Sequence, residues 1–125
     1  MRKRTKEEKA LAELTFEDIG GVIAKQDDRY IVKDNTTLKN LIVSSTWLEA
    51  KKSTTGHAHK GQEEVYFFIK GKGDMEMIDP NGKITHRDVT EGSIVLIPDG
   101  HFHRVHNIGD YGLYFICVFD GKRNH

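Results

Sequence analysis

Short runs of apolar and β-branched residues, separated by turn residues, make up the chain from Tyr30 onward. The longest run covers residues 38–48, and Asp34-Asn35 in front of it is typical of a turn. Asp79-Pro80-Asn81-Gly82 lies between two further runs and predicts a hairpin connection. Short strands at this regular spacing predict an all-β fold, either a sandwich or a barrel.

Two of the predicted strands, residues 65–69 and 113–119, are apolar at nearly every position rather than at alternate ones. Successive side chains of a strand point to opposite faces of the sheet, so both faces of these strands need cover. The barrel interior covers one face. We expect a second copy of the chain to cover the other, which predicts a homodimer.

The first 29 residues differ from the rest and are predicted to form a helical and extended N-terminal arm, ahead of a single β-barrel domain over residues 30–125. Thr5 and Glu8 fit a capping box, and Leu11 and Leu14 supply a thin apolar stripe, so we expect a short helix. Basic residues within positions 1–4 are followed at once by glutamates, which favours a solvated terminus over a nucleic-acid or membrane patch.

Length, charge and cysteine content narrow the class of protein. The 125 residues can bury a modest core, and 19 Lys+Arg balance 19 Asp+Glu, so no overall charge favours nucleic acid or an anionic membrane. Cys117 is the only cysteine, which excludes an internal disulfide. No apolar stretch is long enough to span a bilayer, and the charged N-terminus is unlike a signal peptide. We therefore expect a cytoplasmic protein whose partner is a small molecule.

Four residues form a candidate metal site, namely His57, His59, Glu64 and His103. His57 and His59 are two positions apart, so on an extended strand both imidazoles leave the same face. Glu64 follows a short turn and opens the predicted strand that ends near Ile69, which places a carboxylate beside the imidazoles. His103 lies in a Gly/Pro-rich segment far downstream and is the fourth candidate ligand.

Three imidazoles and one carboxylate suit one divalent transition metal ion, Mn, Fe, Co, Ni, Cu or Zn, whereas Ca and Mg prefer more oxygen ligands. If the ion is octahedral, four protein ligands leave two positions open for water or a chelating substrate, as a catalytic site requires. The ligand set does not select among these metals.

Two motifs with fixed spacing contain these residues: His57-x-His59-x4-Glu64-x6-Gly71 and Gly92-x5-Pro98-x-Gly100-x2-His103-x3-Asn107. Both resemble the signature motifs of the cupins. The first motif departs from the family pattern at Lys51, where a glycine usually stands. The resemblance implies a cupin double-stranded β-helix, which is a jelly-roll barrel, with one metal ion inside that is held by the three histidines and Glu64.

A closer resemblance is to the archaeal cupin-type glucose-6-phosphate isomerases, and residues 54–59, 64–66 and 103–110 carry it. It implies that Thr54, Gly56 and Tyr66 bind the substrate, with a plain turn as the alternative for the first two. Tyr66 is two residues beyond Glu64 and shares its inward face. Glu64 and Tyr66 are therefore the candidate catalytic residues for moving a proton, and simple filling of the core is the alternative for Tyr66.

Three functions fit this site. The preferred one is a metal-dependent isomerase or epimerase that acts on a sugar or sugar phosphate. The alternatives are a non-haem metal oxygenase and a non-catalytic module that binds a small ligand or a metal. Cationic residues facing the pocket would favour the isomerase. A purely apolar lining would favour the oxygenase, and a pocket blocked by an ordered side chain would favour the binding module.

Three further histidines are not assigned to the metal. His101 belongs to a turn and is expected at the barrel mouth. His106 is three residues beyond His103, so it is expected on the opposite face of the same strand, and His86 lies on the predicted hairpin.

Overall fold

The computed structural model describes Thr5 and residues 11–121. These residues form nine β-strands: β1 (Val22–Gln26), β2 (Tyr30–Asn35), β3 (Leu41–Leu48), β4 (Glu64–Lys70), β5 (Lys72–Ile78), β6 (Ile84–Thr90), β7 (Ile94–Ile97), β8 (Phe102–Asn107) and β9 (Leu113–Asp120). The predicted all-β fold is confirmed. Most of the predicted N-terminal helix lies outside the described residues.

Two antiparallel sheets enclose the core. The larger has six strands in the order β1-β2-β3-β9-β4-β7, and the smaller has three in the order β6-β5-β8. Neighbouring strands are often far apart in sequence, since β3 pairs with β9 from Leu41 opposite Asp120 to Leu48 opposite Leu113. This pairing brings residues from both halves of the chain to one interior.

Alternation along the central strands fills that interior. On β4, Glu64, Tyr66 and Phe68 are buried, and the residues between them are half-buried. The Phe115 ring on β9 packs against Tyr66 and Phe68, with ring centroids 5.4 and 5.3 Å away. Burial of such rings stabilises the fold by about 25 cal/mol for each Å² of apolar surface removed from water. Glu64 is the charged exception on this face and marks the candidate site.

The predicted hairpin between β5 and β6 is confirmed. The Asp79 carboxylate accepts hydrogen bonds from the backbone N–H groups of Asn81 and Lys83, both at 2.9 Å. Gly82 follows with a φ of 86°, in the left-handed region that glycine tolerates. The turn is therefore held by its own side chains and backbone, which is why the sequence predicts it well.

The turn expected at Asp34-Asn35 is wrong, because both residues are the last two of β2. The Asn35 side chain is buried and donates to the carbonyl oxygen of Ile19 at 2.6 Å. The amide thus ties the segment before β1 to the sheet, and the next strand begins only at Leu41. A long-range hydrogen bond of this kind leaves no local mark in the sequence.

The segment before β1 also packs on the outer face of the six-stranded sheet. Ile19 is buried, and the Tyr114 hydroxyl on β9 donates to the carbonyl oxygen of Phe16 at 2.6 Å. Ile94 and Leu96 on the edge strand β7 stay exposed. Part of the outer apolar face is therefore covered by the chain itself and part is not.

Among the described residues, no helix has the length and apolar content needed to cross a membrane.

Gly71 joins β4 to β5 at a close backbone approach, and its substitution should be costly. A Cβ there would lie 2.8 Å from the Gly112 carbonyl oxygen, whereas nothing lies within 4 Å of a Cβ at Gly82; their φ angles are +97° and +86°. We expect Gly71→Ala to lower the free energy of unfolding by about 2–4 kcal/mol and Gly82→Ala by about 1 kcal/mol, because only the first adds a clash to the φ strain. Urea unfolding measures both, and equal losses would contradict this explanation.

Candidate functional site

Two backbone hydrogen bonds place His57 beside His103. The His57 N–H donates to the carbonyl oxygen of His103 at 3.2 Å, and the His103 N–H donates back at 2.9 Å. His57 lies in this isolated bridge rather than on the extended strand that the sequence predicts. Glu64 opens β4 in the larger sheet, and His103 lies on β8 in the smaller one. The site therefore forms where the two sheets face each other.

His57, Glu64 and His103 form a cluster that could hold a metal ion. One potential ligand atom from each residue lies within 4.8 Å of the other two. His103 Nε2 and Glu64 Oε2 are 3.1 Å apart and deeply buried, yet neither makes a hydrogen bond with acceptable geometry. Buried polar atoms without a partner are costly, so two of them aimed at one point fit a bound cation.

His59 stands beside this cluster without joining it. Its ring centroid lies 4.4 Å from that of His57, with the ring planes tilted by 38°, and it lines the same cavity. The group of three potential ligands does not include it. The structure thus brings three of the four predicted ligands together, and the fourth lies next to them.

The ionisation of the cluster suits metal binding. Burial, and then the charges of His103 and His59, lower the pKa of His57 to about 4, so its imidazole is neutral at pH 7. Burial by itself would raise the pKa of Glu64, but contact with His103 and the nearby histidine charges outweigh this and lower it. A neutral imidazole and an ionised carboxylate are the forms that coordinate a cation, so no proton has to leave either group.

A cavity of about 620 Å³ opens beside these residues. This volume lies within the range of small-molecule sites, which is about 300–1,000 Å³. Four serine and threonine side chains line it, those of Ser44, Thr46, Thr54 and Thr55. The lining also includes one ammonium group, Lys25. A polar wall of this kind suits a ligand with several oxygen atoms.

Tyr66 lies on the cavity wall between the metal cluster and the aromatic core. Its ring centroid is 5.7 Å from that of His103, and the two rings are nearly perpendicular. Burial is the main cause that raises the pKa of its phenol well above the usual value, and the negative charge of Glu64 acts in the same direction. The phenol therefore keeps its proton at neutral pH and can donate it in a hydrogen bond.

Thr54 and Gly56, the other two predicted substrate-binding residues, differ in position. Thr54 lines the cavity, and its hydroxyl oxygen accepts a hydrogen bond from the Val105 N–H at 3.0 Å, which leaves the hydroxyl proton to donate. Gly56 is not among the lining residues, and a Cβ there would lie 2.1 Å from the Phe102 ring. Packing against Phe102 therefore accounts for the glycine at position 56.

Lys51, where the motif usually has a glycine, adopts the backbone conformation that glycine favours. Its φ is 62°, which is uncommon for a residue with a side chain. Its ammonium group donates to the carbonyl oxygen of Ile108 at 2.9 Å and lies 3.5 Å from the Asp110 carboxylate. These contacts offset part of the strain, so the loop before His57 accommodates the departure from the pattern.

The other histidines among the described residues, His86, His101 and His106, lie away from the cluster. His101 and His106 do not line the cavity. His106 Nε2 instead lies 2.7 Å from the Glu76 carboxylate and its Nδ1 lies 2.6 Å from the Ser53 hydroxyl. His86 contacts the Asp74 carboxylate at 2.7 Å on the same outer surface of the small sheet. Their placement follows the alternation of strands β6 and β8.

Sequence reasoning missed several residues of the cavity wall: Lys25, Tyr30, Asp34, Ser44, Thr46 and Cys117. Ser44 and Thr46 are two positions apart in the predicted strand over residues 38–48, which was a usable signal, since strand geometry places both hydroxyls on one face of β3. Lys25 gives no such signal, because residues 1–29 were predicted as a helical and extended arm outside the barrel.

The two-sheet barrel and the paired histidine motifs define the class of protein. The family model described as a cupin domain matches residues 47–119, more than half of the chain. The chain belongs to the cupin family, as the motifs predict.

Several curated proteins are similar to this chain in sequence. The glucose-6-phosphate isomerases of Thermococcus litoralis and Pyrococcus abyssi are 35% and 34% identical to this chain over 74 residues. The aligned part is 58% of this chain and 39% of each isomerase, so the match spans about two fifths of these relatives. An uncharacterised protein of Methanocaldococcus jannaschii is 28% identical over 99 residues, which are 70% of this chain and 75% of that protein.

Solved structures show the same fold. Oxalate decarboxylase from Bacillus subtilis superposes with a TM-score of 0.70 at 22% identity, over 75% of this chain and 26% of that chain. The capsular polysaccharide assembling protein CapF from Staphylococcus aureus superposes with a TM-score of 0.72 at 23% identity, over 88% of this chain and 34% of that chain. At these identities the likeness concerns the fold alone.

Proposed function

We propose that this cupin is a metal-dependent enzyme that isomerises or epimerises a small sugar or sugar phosphate. The observation that carries the proposal is the buried pair His103 Nε2 and Glu64 Oε2, which lack hydrogen-bond partners and lie at a cavity rich in hydroxyl groups. The similarity to glucose-6-phosphate isomerases supports the choice of reaction.

The proposed ligands of the ion are His57, His59, Glu64 and His103. His57, Glu64 and His103 already converge, and the His59 ring lies beside them, with its centroid 4.4 Å from that of His57. A divalent ion held there would polarise the oxygen atoms of a bound hydroxycarbonyl compound. Which of Mn, Fe, Co, Ni, Cu and Zn is bound depends on factors beyond the ligand types.

The proton transfers are assigned to the chain's own residues. Isomerisation between adjacent carbons needs one group that takes a proton from carbon and one that supports the developing negative charge on oxygen. Glu64 is ionised and can accept a proton, and Tyr66 stays protonated and can donate to oxygen. Thr54 has a hydroxyl proton available to orient the substrate. The roles of Glu64, Tyr66 and Thr54 proposed here are those that the sequence predicts, with a proton acceptor and a proton donor now assigned.

The cavity weighs against the alternative functions. Its wall carries hydroxyl, carboxylate and ammonium groups, unlike the purely apolar lining expected of the oxygenase. A pocket blocked by an ordered side chain would have favoured the simple binding module. The cavity of about 620 Å³ beside the cluster is instead open, and no side chain of the described residues fills it.

The proposed function is tested on protein stripped with a chelator and reloaded with each candidate metal. The assay follows interconversion of glucose 6-phosphate and fructose 6-phosphate, then other aldose–ketose pairs by nuclear magnetic resonance. We expect turnover with at least one metal and none in the stripped protein. Exchange of carbon-bound hydrogen with deuterated water marks proton transfer even where net conversion is small. Absence of both turnover and exchange across the sugars and metals would overturn the proposal.

We also propose that the chain forms a homodimer through the outer face of the six-stranded sheet. Ile94 and Leu96 on β7 are 50% and 70% exposed, and the half-buried Val65 and Phe67 lie beside them on β4. Leu96→Glu should convert the dimer to a monomer, because a charge at the centre of an apolar interface is not solvated. Light scattering at micromolar concentration measures the mass, with Ile84→Glu on the smaller sheet as the control. A monomeric wild-type protein would rule the dimer out.

A further inference from the structure

The first strand contains an irregularity that turns one lysine into the cavity. Along β1 and β2, Ile23 pairs with Lys33 and Lys25 pairs with Val32, so the register shifts across Ala24. Without this bulge, alternation would place Lys25 on the outer face. With the bulge, both Ala24 and Lys25 line the cavity. Bulges often re-aim a side chain beside a functional site.

Lys25 brings a positive charge to the cavity. It is the only lysine or arginine among the described residues that line the cavity, and none of the described carboxylates forms a salt bridge with it. Arg29 lies near the mouth and contacts the Thr55 hydroxyl at 3.1 Å, but its guanidinium is paired with Asp27 at 2.8 Å. The ammonium group of Lys25 is therefore the positive charge that a ligand can use.

The electrostatics of the cavity depend on the metal. Two carboxylates, Asp34 and Glu64, line it together with Lys25, so the metal-free cavity has more negative than positive charge. A divalent ion reverses this balance.

We propose that Lys25 is a specificity-determining residue that selects substrates with an anionic group, either phosphate or carboxylate, at the end distant from the metal. The inference rests on the proposed function and deepens it. The metal cluster takes the oxygen atoms of the reacting end, the hydroxyls of Ser44 and Thr46 line the wall between, and Lys25 pairs with the anion. Because Lys25 is exposed to water, its contribution is moderate and screened by salt.

The test compares ligand affinity by calorimetry on full-length protein loaded with Mn(II), whose metal content is verified for each variant. The probes are glucose 6-phosphate, gluconate and glucose. We expect Lys25→Gln to weaken the binding of an anionic probe by about tenfold at low salt and to change glucose binding by less than about twofold. Lys25→Arg should restore affinity. Lys33→Gln is the matched control, because Lys33 lies on the outer face of the next strand and does not line the cavity.

The outcomes separate this inference from the proposed function. A larger effect on glucose 6-phosphate than on gluconate identifies the anion as phosphate, and the reverse identifies a carboxylate. Equal affinity of the wild-type protein for glucose and both anions, or equal losses in Lys25→Gln and Lys33→Gln, overturns the role of Lys25 even if isomerase turnover is observed. Anion selectivity that depends on Lys25 in a protein without turnover supports the role of Lys25 and removes the isomerase.

Discussion

His103→Ala is expected to lose most of the bound metal while the barrel stays folded. The substitution deletes a buried nitrogen that lies 3.1 Å from Glu64 Oε2 at the centre of the cluster. Mutation of residues that hydrogen-bond to metal ligands lowers metal affinity by about 10- to 100-fold. Loss of a direct ligand should therefore lower metal affinity by more than about 100-fold. Strand β8 should stay folded in this variant, because the Val105 side chain still packs in the hydrophobic core.

Elemental analysis after loading and desalting measures the metal content, and circular dichroism reports the fold. His101→Ala is the matched control, since His101 is two residues away in the same segment, its imidazole lies 3.3 Å from the Asp99 carbonyl oxygen, and the residue does not line the cavity. It should retain metal near the wild-type level. If His101→Ala empties the site and His103→Ala does not, the ligand assignment is wrong.

Much of the fold was predictable because the central strands have local signals. The runs around Val65 and Leu113 are apolar and β-branched, and Asp79 to Gly82 is a self-contained turn. Such features depend on neighbours in sequence, which one sequence shows directly. The two motifs then specified the family, which the match to residues 47–119 confirms.

The first two strands were harder to predict, because their pairing is decided by distant residues. β1 contains Lys25 and Gln26 and is exposed along its whole length, so it shows no apolar alternation. β1 is stabilised by its pairing with β2. The buried Asn35 side chain donates a hydrogen bond to the Ile19 carbonyl oxygen, in the segment before β1. Neither contact can be inferred from the composition of residues 1–29, and the bulge at Ala24 depends on the same pairing.

The candidate site was predictable in its chemistry and not in its shape. The spacing of His57, Glu64 and His103 identified three side chains that the fold brings within 4.8 Å. The motif does not specify the conformations of the loops around it. These conformations place His59 beside the cluster and pack Gly56 against the Phe102 ring. Loop geometry is set by contacts such as the Phe102 ring, which lies far away in sequence.

Tyr66→Phe is expected to lower turnover by about a hundredfold or more while metal content and substrate affinity stay near wild type. A positioned acid or base contributes about 10²- to 10⁴-fold, and the substitution removes only the phenol oxygen. The ring would still pack against Phe115 at a centroid separation of 5.4 Å. The stability of the fold should therefore change by no more than about 1 kcal/mol, the usual net contribution of one hydrogen bond.

The comparison requires the metal-loaded protein and the sugar that gives the fastest hydrogen exchange in the functional assay. Tyr114→Phe is the matched control, because Tyr114 lies on the outer face of β9 and donates its hydroxyl to the Phe16 carbonyl oxygen at 2.6 Å. That variant loses a tertiary hydrogen bond but no group that faces the cavity, so its turnover should equal that of the wild type. If Tyr66→Phe keeps turnover within a few-fold, the phenol takes no part in proton transfer. Tyr66 would then be a core residue whose ring supports His103, and Glu64 would be the one remaining candidate for moving the proton.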